Sequence, residues 1–117
     1  MSAIERKHTG PRMSQTVIHN GTIYLAGQVA DDMKAPVQEQ VRQILANIDR
    51  LLAEAGSSKS RLLSAQIWLK DIGDFQAMNA VWDKWVDPAN SPARATGQVT
   101  LAAPDFLVEI IVVAAQG

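Results

Sequence analysis

Residues 106–115 read Phe-Leu-Val-Glu-Ile-Ile-Val-Val-Ala-Ala. As a β-strand this segment is apolar on both faces, with Leu107, Ile111 and Val113 on one and Val108, Ile110 and Val112 on the other. Such a strand is stable only where both faces are covered. The rest of the chain offers two segments of helical period, enough for one layer on one face. The other face needs a different cover, and we expect it to pack against further copies of the chain.

The remaining elements follow from periodicity and turn chemistry. Residues 16–26 predict a hairpin, because Asn20-Gly21 suits a type I′ turn, in which both central positions take positive φ. A short strand before Gly10 is weakly signalled. A helix starts at Pro36: Val37, Val41, Ile44, Leu45, Ile48, Leu51, Leu52 and Ala55 form one apolar stripe, and Gly56 ends it. Glu39, Gln40, Arg42, Gln43 and Asp49 are expected to face water. Residues 63–70 predict a strand. A second helix over 75–86 carries Phe75, Met78, Trp82 and Trp85 on one face, with Asp74 as N-cap and Pro88 as its stop. Strands over 94–101 and 106–115, turned by Pro104-Asp105, complete an α+β fold: a mixed sheet backed by two helices on one face. A length of 117 residues with 47% apolar content suits a single domain, 1–117.

Composition excludes several functions. Without cysteine there is no thiolate chemistry, disulfide, iron–sulfur cluster or cysteine zinc site. A net charge of −1 argues against a basic field for nucleic acid. No phosphate loop, dinucleotide fingerprint, metal motif or Ser-His-Asp constellation occurs, and no metal is expected. No apolar run resembles a signal peptide, and residues 110–115 are far too short to span a membrane. The expected location is the cytoplasm. His8 and His19 stand without ligand-spaced neighbours and read as exposed. Lys59, Arg61, Lys70 and Lys84 are dispersed over the surface.

Two residues invite chemistry. Glu109 interrupts the apolar strand, where an unpartnered carboxylate would be costly. Arg94 opens a strand after Ser91-Pro92-Ala93, and a guanidinium can hold a carboxylate through two parallel hydrogen bonds. Were the last two strands a hairpin about Pro104, Glu109 would oppose a residue near Val99, leaving Arg94 ~16 Å away. The two meet only if those strands are not hairpin partners, or if they come from different subunits. Gly27 either admits a ligand close to the backbone or simply ends a strand.

Several segments together resemble the RidA/YjgF family, and within it a small YoaB-like member: Ala26-Gly27-Gln28-Val29-Ala30, the helix around residues 40–48, residues 74–79, Pro92-Ala93-Arg94-Ala95-Thr96, and Val108-Glu109-Ile110. The resemblance implies a chorismate-mutase-like fold and a homotrimer with clefts between subunits. It implies cofactor-free hydrolysis of reactive enamines and imines, such as 2-aminoacrylate and 2-iminopropanoate, to a 2-keto acid and ammonia. Arg94 matches the family arginine that grips the substrate carboxylate, and Glu109 the glutamate that positions water. Asn79 and Gly27 match cleft positions, and Thr96 stands where many members have cysteine. Arg12 follows Gly10-Pro11 where deaminase members usually have tyrosine, and Ala26 replaces a usual serine. Arg12 thus adds a positive charge that either favours a more acidic substrate or faces solvent. The alternatives are a non-catalytic module binding a small carboxylate in the same cleft, and an endoribonuclease or translation inhibitor, which the near-neutral charge disfavours.

Overall fold

The computed structural model describes residues 3–117. In chain order the elements are β1 (Glu5–Thr9), β2 (Ser14–His19), β3 (Thr22–Leu25), α1 (Val37–Glu54), β4 (Leu62–Leu69), α2 (Phe75–Trp85), β5 (Ala93–Gln98) and β6 (Val108–Ala115). Short 3-10 turns at Lys59–Arg61 and Ile72–Asp74 lead into β4 and α2. The strands form one sheet in the order β1-β2-β3-β6-β4-β5. Only β4 and β5 run parallel, joined by α2; every other pairing is antiparallel. The fold is the α+β mixed sheet that the pattern predicts.

Local chemistry accounts for the element ends. Asn20 and Gly21 have φ of 52° and 77°, so the first hairpin closes on the turn that its sequence favours. Helix α1 ends on Gly56 at φ 78°, with Ser57 N–H donating to Leu52 O at 2.9 Å and Gly56 N–H to Ala53 O at 3.1 Å. Those two bonds satisfy carbonyls that the helix itself leaves unpaired. Asp74 occupies the N-cap position of α2 without a side-chain hydrogen bond. Asp71 accepts instead from Gly73 N–H at 2.8 Å, because the 3-10 turn needs its cap one step earlier.

The core lies between the sheet and its helices. Val41, Ile44, Leu45, Ile48, Leu51 and Leu52 of α1 meet Ile23, Leu25, Ile67, Val108, Ile110 and Val112. Burying each of these side chains contributes roughly 2 kcal/mol before entropic costs. On the opposite face, Val17, Tyr24, Trp68, Ile111 and Val113 are only half-buried or exposed, and Tyr24 keeps 48% of its surface. One side of β6 is thus covered within the chain and the other is open.

Two expectations need correction, and the alternative left open for the last two strands is decided. Strands β5 and β6 are not hairpin partners, because β4 lies between them; a parallel β4–α2–β5 unit has claimed the edge. Strand β5 also stops at Gln98 rather than reaching residue 101. Gln40 does not face water but is fully buried. Its Nε2 donates to the carbonyls of Met33, Ala35 and Asp105 at 3.0–3.1 Å, and its Oε1 accepts from Leu107 N–H at 3.0 Å. Two hydrogens are shared among three carbonyls, and one side chain satisfies backbone groups of both the loop before α1 and the loop before β6.

Replacing Gln40 with Leu keeps the volume and orphans those groups. The expected loss is about 2–4 kcal/mol in urea unfolding, against near-neutral effects for Gln76→Leu at an exposed position of α2.

Candidate functional site

The sheet order decides which candidate residues meet. Arg94 on β5 pairs with Ala65 of β4, and Ala65 pairs with Val112 of β6; both partners are buried beneath the helices. Arg94 therefore lies on the helix-facing side. Glu109 pairs with Trp68 on the open side. Two strand spacings and three residues of rise separate their Cα atoms by ~14 Å, and their side chains leave opposite faces. Within one chain they do not form a single site.

Arg94 belongs to a corner made by α2 and β5. Its guanidinium carbon stands 5.8 Å from the Phe75 ring centre and 5.5 Å from that of Trp82. The rings sit two turns apart on one stripe of α2, so the helical period itself builds the rest on which the cation lies. Among the described residues Arg94 makes no ion pair, so its donors are not spent on a carboxylate of its own chain. Thr96 follows two residues later on the same face, paired with Ile67. Asn79 lies on α2 between Phe75 and Trp82. Thr96 Oγ1 and Asn79 Oδ1 are both buried without a hydrogen-bond partner. A shallow cavity of about 240 Å³ lies on the open side of the same sheet edge, between Ser64, Gln66, Ala93 and Ala95, with Arg94 at its border.

Glu109 belongs to a second corner. Gly27 packs so tightly on it that a Cβ at position 27 would collide with the Glu109 carboxylate. A side chain at position 27 would push that carboxylate from its present place, although Gly27 itself has no left-handed backbone that would call for glycine. The next residue fixes the contact: Gln28 exchanges two backbone hydrogen bonds with Ile110, at 2.9 and 3.1 Å. Its buried side chain donates to Gln15 Oε1 and Ala26 O, both at 2.9 Å. Burial raises the pKa of Glu109 above the ordinary carboxylate range, with no cation lowering it.

Arg12 joins neither corner. It is exposed in the loop between β1 and β2, where with Pro11 it lines an open cavity of about 480 Å³. That loop and the Gly27 segment share one end of the sheet, because Gln15 O accepts from Ala26 N–H at 2.9 Å. His8 is partly exposed and bonded to Glu54 at 2.8 Å, away from both corners.

The structure thus brings Arg94, Thr96 and Asn79 into one corner and Gly27 and Glu109 into another. Sequence reasoning missed the supports of each: Phe75 and Trp82 under Arg94, Gln28 and Trp68 beside Glu109. The helical spacing of 75 and 82 was visible, but only strand order brings Arg94 to it. No group of three or more histidine or acidic side chains able to hold a metal occurs among the described residues, and no described helix is long and apolar enough to cross a membrane.

Comparisons with known proteins agree with the sequence resemblance. Residues 5–116 match the family described as Endoribonuclease L-PSP. A RutC family protein of Haemophilus influenzae is 43% identical over 112 residues, covering 95% of this chain and 97% of that protein. The RutC family protein YoaB of Escherichia coli is 46% identical over 104 residues, covering 89% and 90%. Among solved structures, a member of the YjgF family from Neisseria meningitidis superposes with a TM-score of 0.95 at 43% identity, covering 98% of this chain and 96% of that one. A protein from Pseudomonas aeruginosa gives 0.96 at 43% identity, covering 98% and 100%.

The raised pKa of Glu109 has a definite sign. The folded chain holds this proton more tightly than the unfolded chain, so stability falls as pH rises through the ordinary carboxylate value of about 4. Glu109 therefore costs stability at neutral pH and nothing in acid. Glu109→Gln is expected to raise Tm at pH 7.5 by on the order of 1–2 °C, since the group is well exposed to solvent screening, and to leave it unchanged below about pH 4. A fall at pH 7.5 in thermal melts would mean that a cation meets this carboxylate.

Proposed function

The chain belongs to the RidA/YjgF family, the one described as Endoribonuclease L-PSP, and from that premise we propose that it hydrolyses reactive enamines and imines of 2-amino acids. The substrates are of the 2-aminoacrylate and 2-iminopropanoate type, and the products are a 2-keto acid and ammonia. The observation that carries this reading is Arg94: its guanidinium rests on two aromatic rings rather than on a carboxylate, beside two buried acceptors that lack donors. A small molecule bearing a carboxylate complements that guanidinium.

In this proposal Arg94 holds the substrate carboxylate by two parallel hydrogen bonds. Asn79 and Thr96 form the buried wall of the Arg94 corner. An imine carbon is already electrophilic, so water needs orientation and a base. Glu109 takes a proton from water as the water oxygen bonds to the imine carbon, and hands it to the nitrogen as the C=N π bond opens. Glu109 then takes the hydroxyl proton of the resulting amino alcohol and passes it to the nitrogen, so that the C–N bond breaks, ammonia leaves and the C=O bond forms. A carboxyl whose pKa is raised by burial suits both giving and taking protons. The enamine enters the same path after a proton is added to its terminal carbon. Holding both partners in place supplies much of the acceleration.

Because Arg94 and Glu109 leave opposite faces, a working cleft needs them from two copies of the chain. We propose a homotrimer in which the open face of each sheet is covered by its neighbours and three clefts form, each with Arg94 from one subunit and Glu109 from the next. Gly27 gives Glu109 its place, and Arg12 joins the cleft from its loop. A net charge of −1 lends less support to RNA cleavage.

The test follows 2-iminopropanoate, generated in situ by an amino-acid oxidase and trapped with semicarbazide. Wild type is expected to speed its loss. Arg94→Ala and Glu109→Gln are each expected to lose about 100-fold or more while keeping the oligomer. Unfolded together one to one and refolded, the two variants form trimers in which every mixed assembly has one intact cleft, so about a quarter of wild-type activity returns. Turnover retained in Arg94→Ala would defeat the reading, and no recovery on mixing would defeat the shared cleft. Binding of 2-oxobutanoate without turnover would identify a carboxylate-binding module instead.

A further inference from the structure

The two helices form a further concave feature, separated from the Arg94 corner by the Trp82 ring and lined by none of the residues of either corner. Gln38 and Arg42 of α1 face Ala80, Val81, Lys84 and Trp85 of α2 across a groove with a cavity of about 320 Å³. This volume lies at the low end for small-molecule sites, too small for a peptide segment. The floor is apolar: Ala80, Val81 and the Trp85 indole. The rim carries two cations, Arg42 and Lys84, and one amide, Gln38. None of the six residues is acidic.

The groove is built rather than incidental. Gln38 Nε2 donates to Ala77 O at 3.1 Å and ties the helices at one end. Trp85 Nε1–H donates to Asp49 Oδ2 at 3.0 Å and ties them at the other. The Trp85 ring is held further by Trp82, 5.3 Å away and tilted by 51°, and by Lys59, whose Nζ lies 5.3 Å from the ring centre. A floor fixed by such contacts loses little freedom when something settles on it. Of the rim cations, Arg42 has a long contact of 3.4 Å with Glu39, while Lys84 makes no ion pair among the described residues.

We propose that this groove is a ligand site of its own, taking a small monocarboxylate with a flat or branched apolar body. The body covers Val81 and Trp85, and the carboxylate lies between Lys84 and Arg42. The charge of the rim selects the anion. The apolar floor selects a carboxylate with a hydrocarbon tail over a phosphate, whose several charges would be stripped of water against it. The site is independent of imine hydrolysis, since neither cation belongs to the Arg94 or the Glu109 corner.

The experiment is a titration of the full-length, isotope-labelled protein with 4-phenylbutyrate, followed by amide and indole N–H resonances. The neutral 4-phenylbutyramide is titrated in parallel. Saturable shifts are expected at the Trp85 indole and at residues 38–42 and 80–85, with Kd of roughly 1 mM or tighter, and with the amide at least about tenfold weaker. The double variant Arg42→Gln/Lys84→Gln is expected to weaken the acid by about tenfold, leave the amide unchanged, and melt like wild type because both side chains are exposed. Imine turnover of that variant stays at the wild-type rate. Equal affinity for acid and amide would overturn the proposal, as would the absence of saturable shifts. Shifts confined to Arg94, Thr96 and Asn79 would also overturn it, by assigning the carboxylate to the other site.

Discussion

The fold depends on β6. It pairs with β3 on one side and β4 on the other, and Gln28 bridges to it beyond the end of β3. Val108, Ile110, Val112 and Ala114 are essentially inaccessible under the helices. Its neighbour β4 shares both properties, with Ala65, Ile67 and Leu69 equally covered, so the pair forms the centre of the sheet. The two neighbours of β6, β3 and β4, come from distant parts of the chain. The C-terminal strand thus closes the structure: it joins the β1–β2–β3 meander to the β4–α2–β5 unit, and neither has another partner in the sheet.

That closing role also creates the division between the two corners. A strand inserted between two others must have two faces, and here they have different tasks. The helix face is uniformly apolar. The open face carries Ile111 and Val113 together with Glu109, so one carboxylate stands in the surface that most needs cover. The pairing with β4 places Trp68 beside it, and the Gly27 segment closes over it. Meanwhile β4 pushes β5 to the sheet edge, where Arg94 reaches rings on α2. Apolar burial fixes both polar placements; neither comes from attraction between the two charged groups.

Much of this was legible in the sequence, for local reasons. The Asn20-Gly21 turn, the stripe of α1, its Gly56 terminator and the helix over 75–86 depend on neighbours within a few residues, and each appears nearly where its pattern puts it. Strand order was not legible, because pairing of β4 with both β5 and β6 is decided by contacts across 29 or more residues. The two-faced apolar pattern of 106–115 did announce an uncovered face. Gln40 misled because a polar residue beside an apolar stripe normally meets water. Its burial reflects four backbone groups in two loops, which no periodicity records. For the chemistry, Arg94 and Glu109 stood out by type and setting, while their membership of separate corners needed the topology.

The separation has a consequence for regulation by concentration. An unpartnered buried acceptor costs about 1–3 kcal/mol, and Thr96 and Asn79 both leave one at the α2–β5 corner. A third, Thr16, has no such setting and no explanation in the structure. The raised pKa of Glu109 adds a cost at the other corner. A lone chain bears these costs together with an exposed apolar sheet face. In the proposed trimer, covering that face and completing the cleft are one event, so the energy of assembly supports the polar groups that a single chain holds at a loss. Activity then follows the fraction of assembled chains, and substrate binding across the cleft favours assembly by mass action. A site divided between opposite faces of one sheet couples chemistry to association without any moving part.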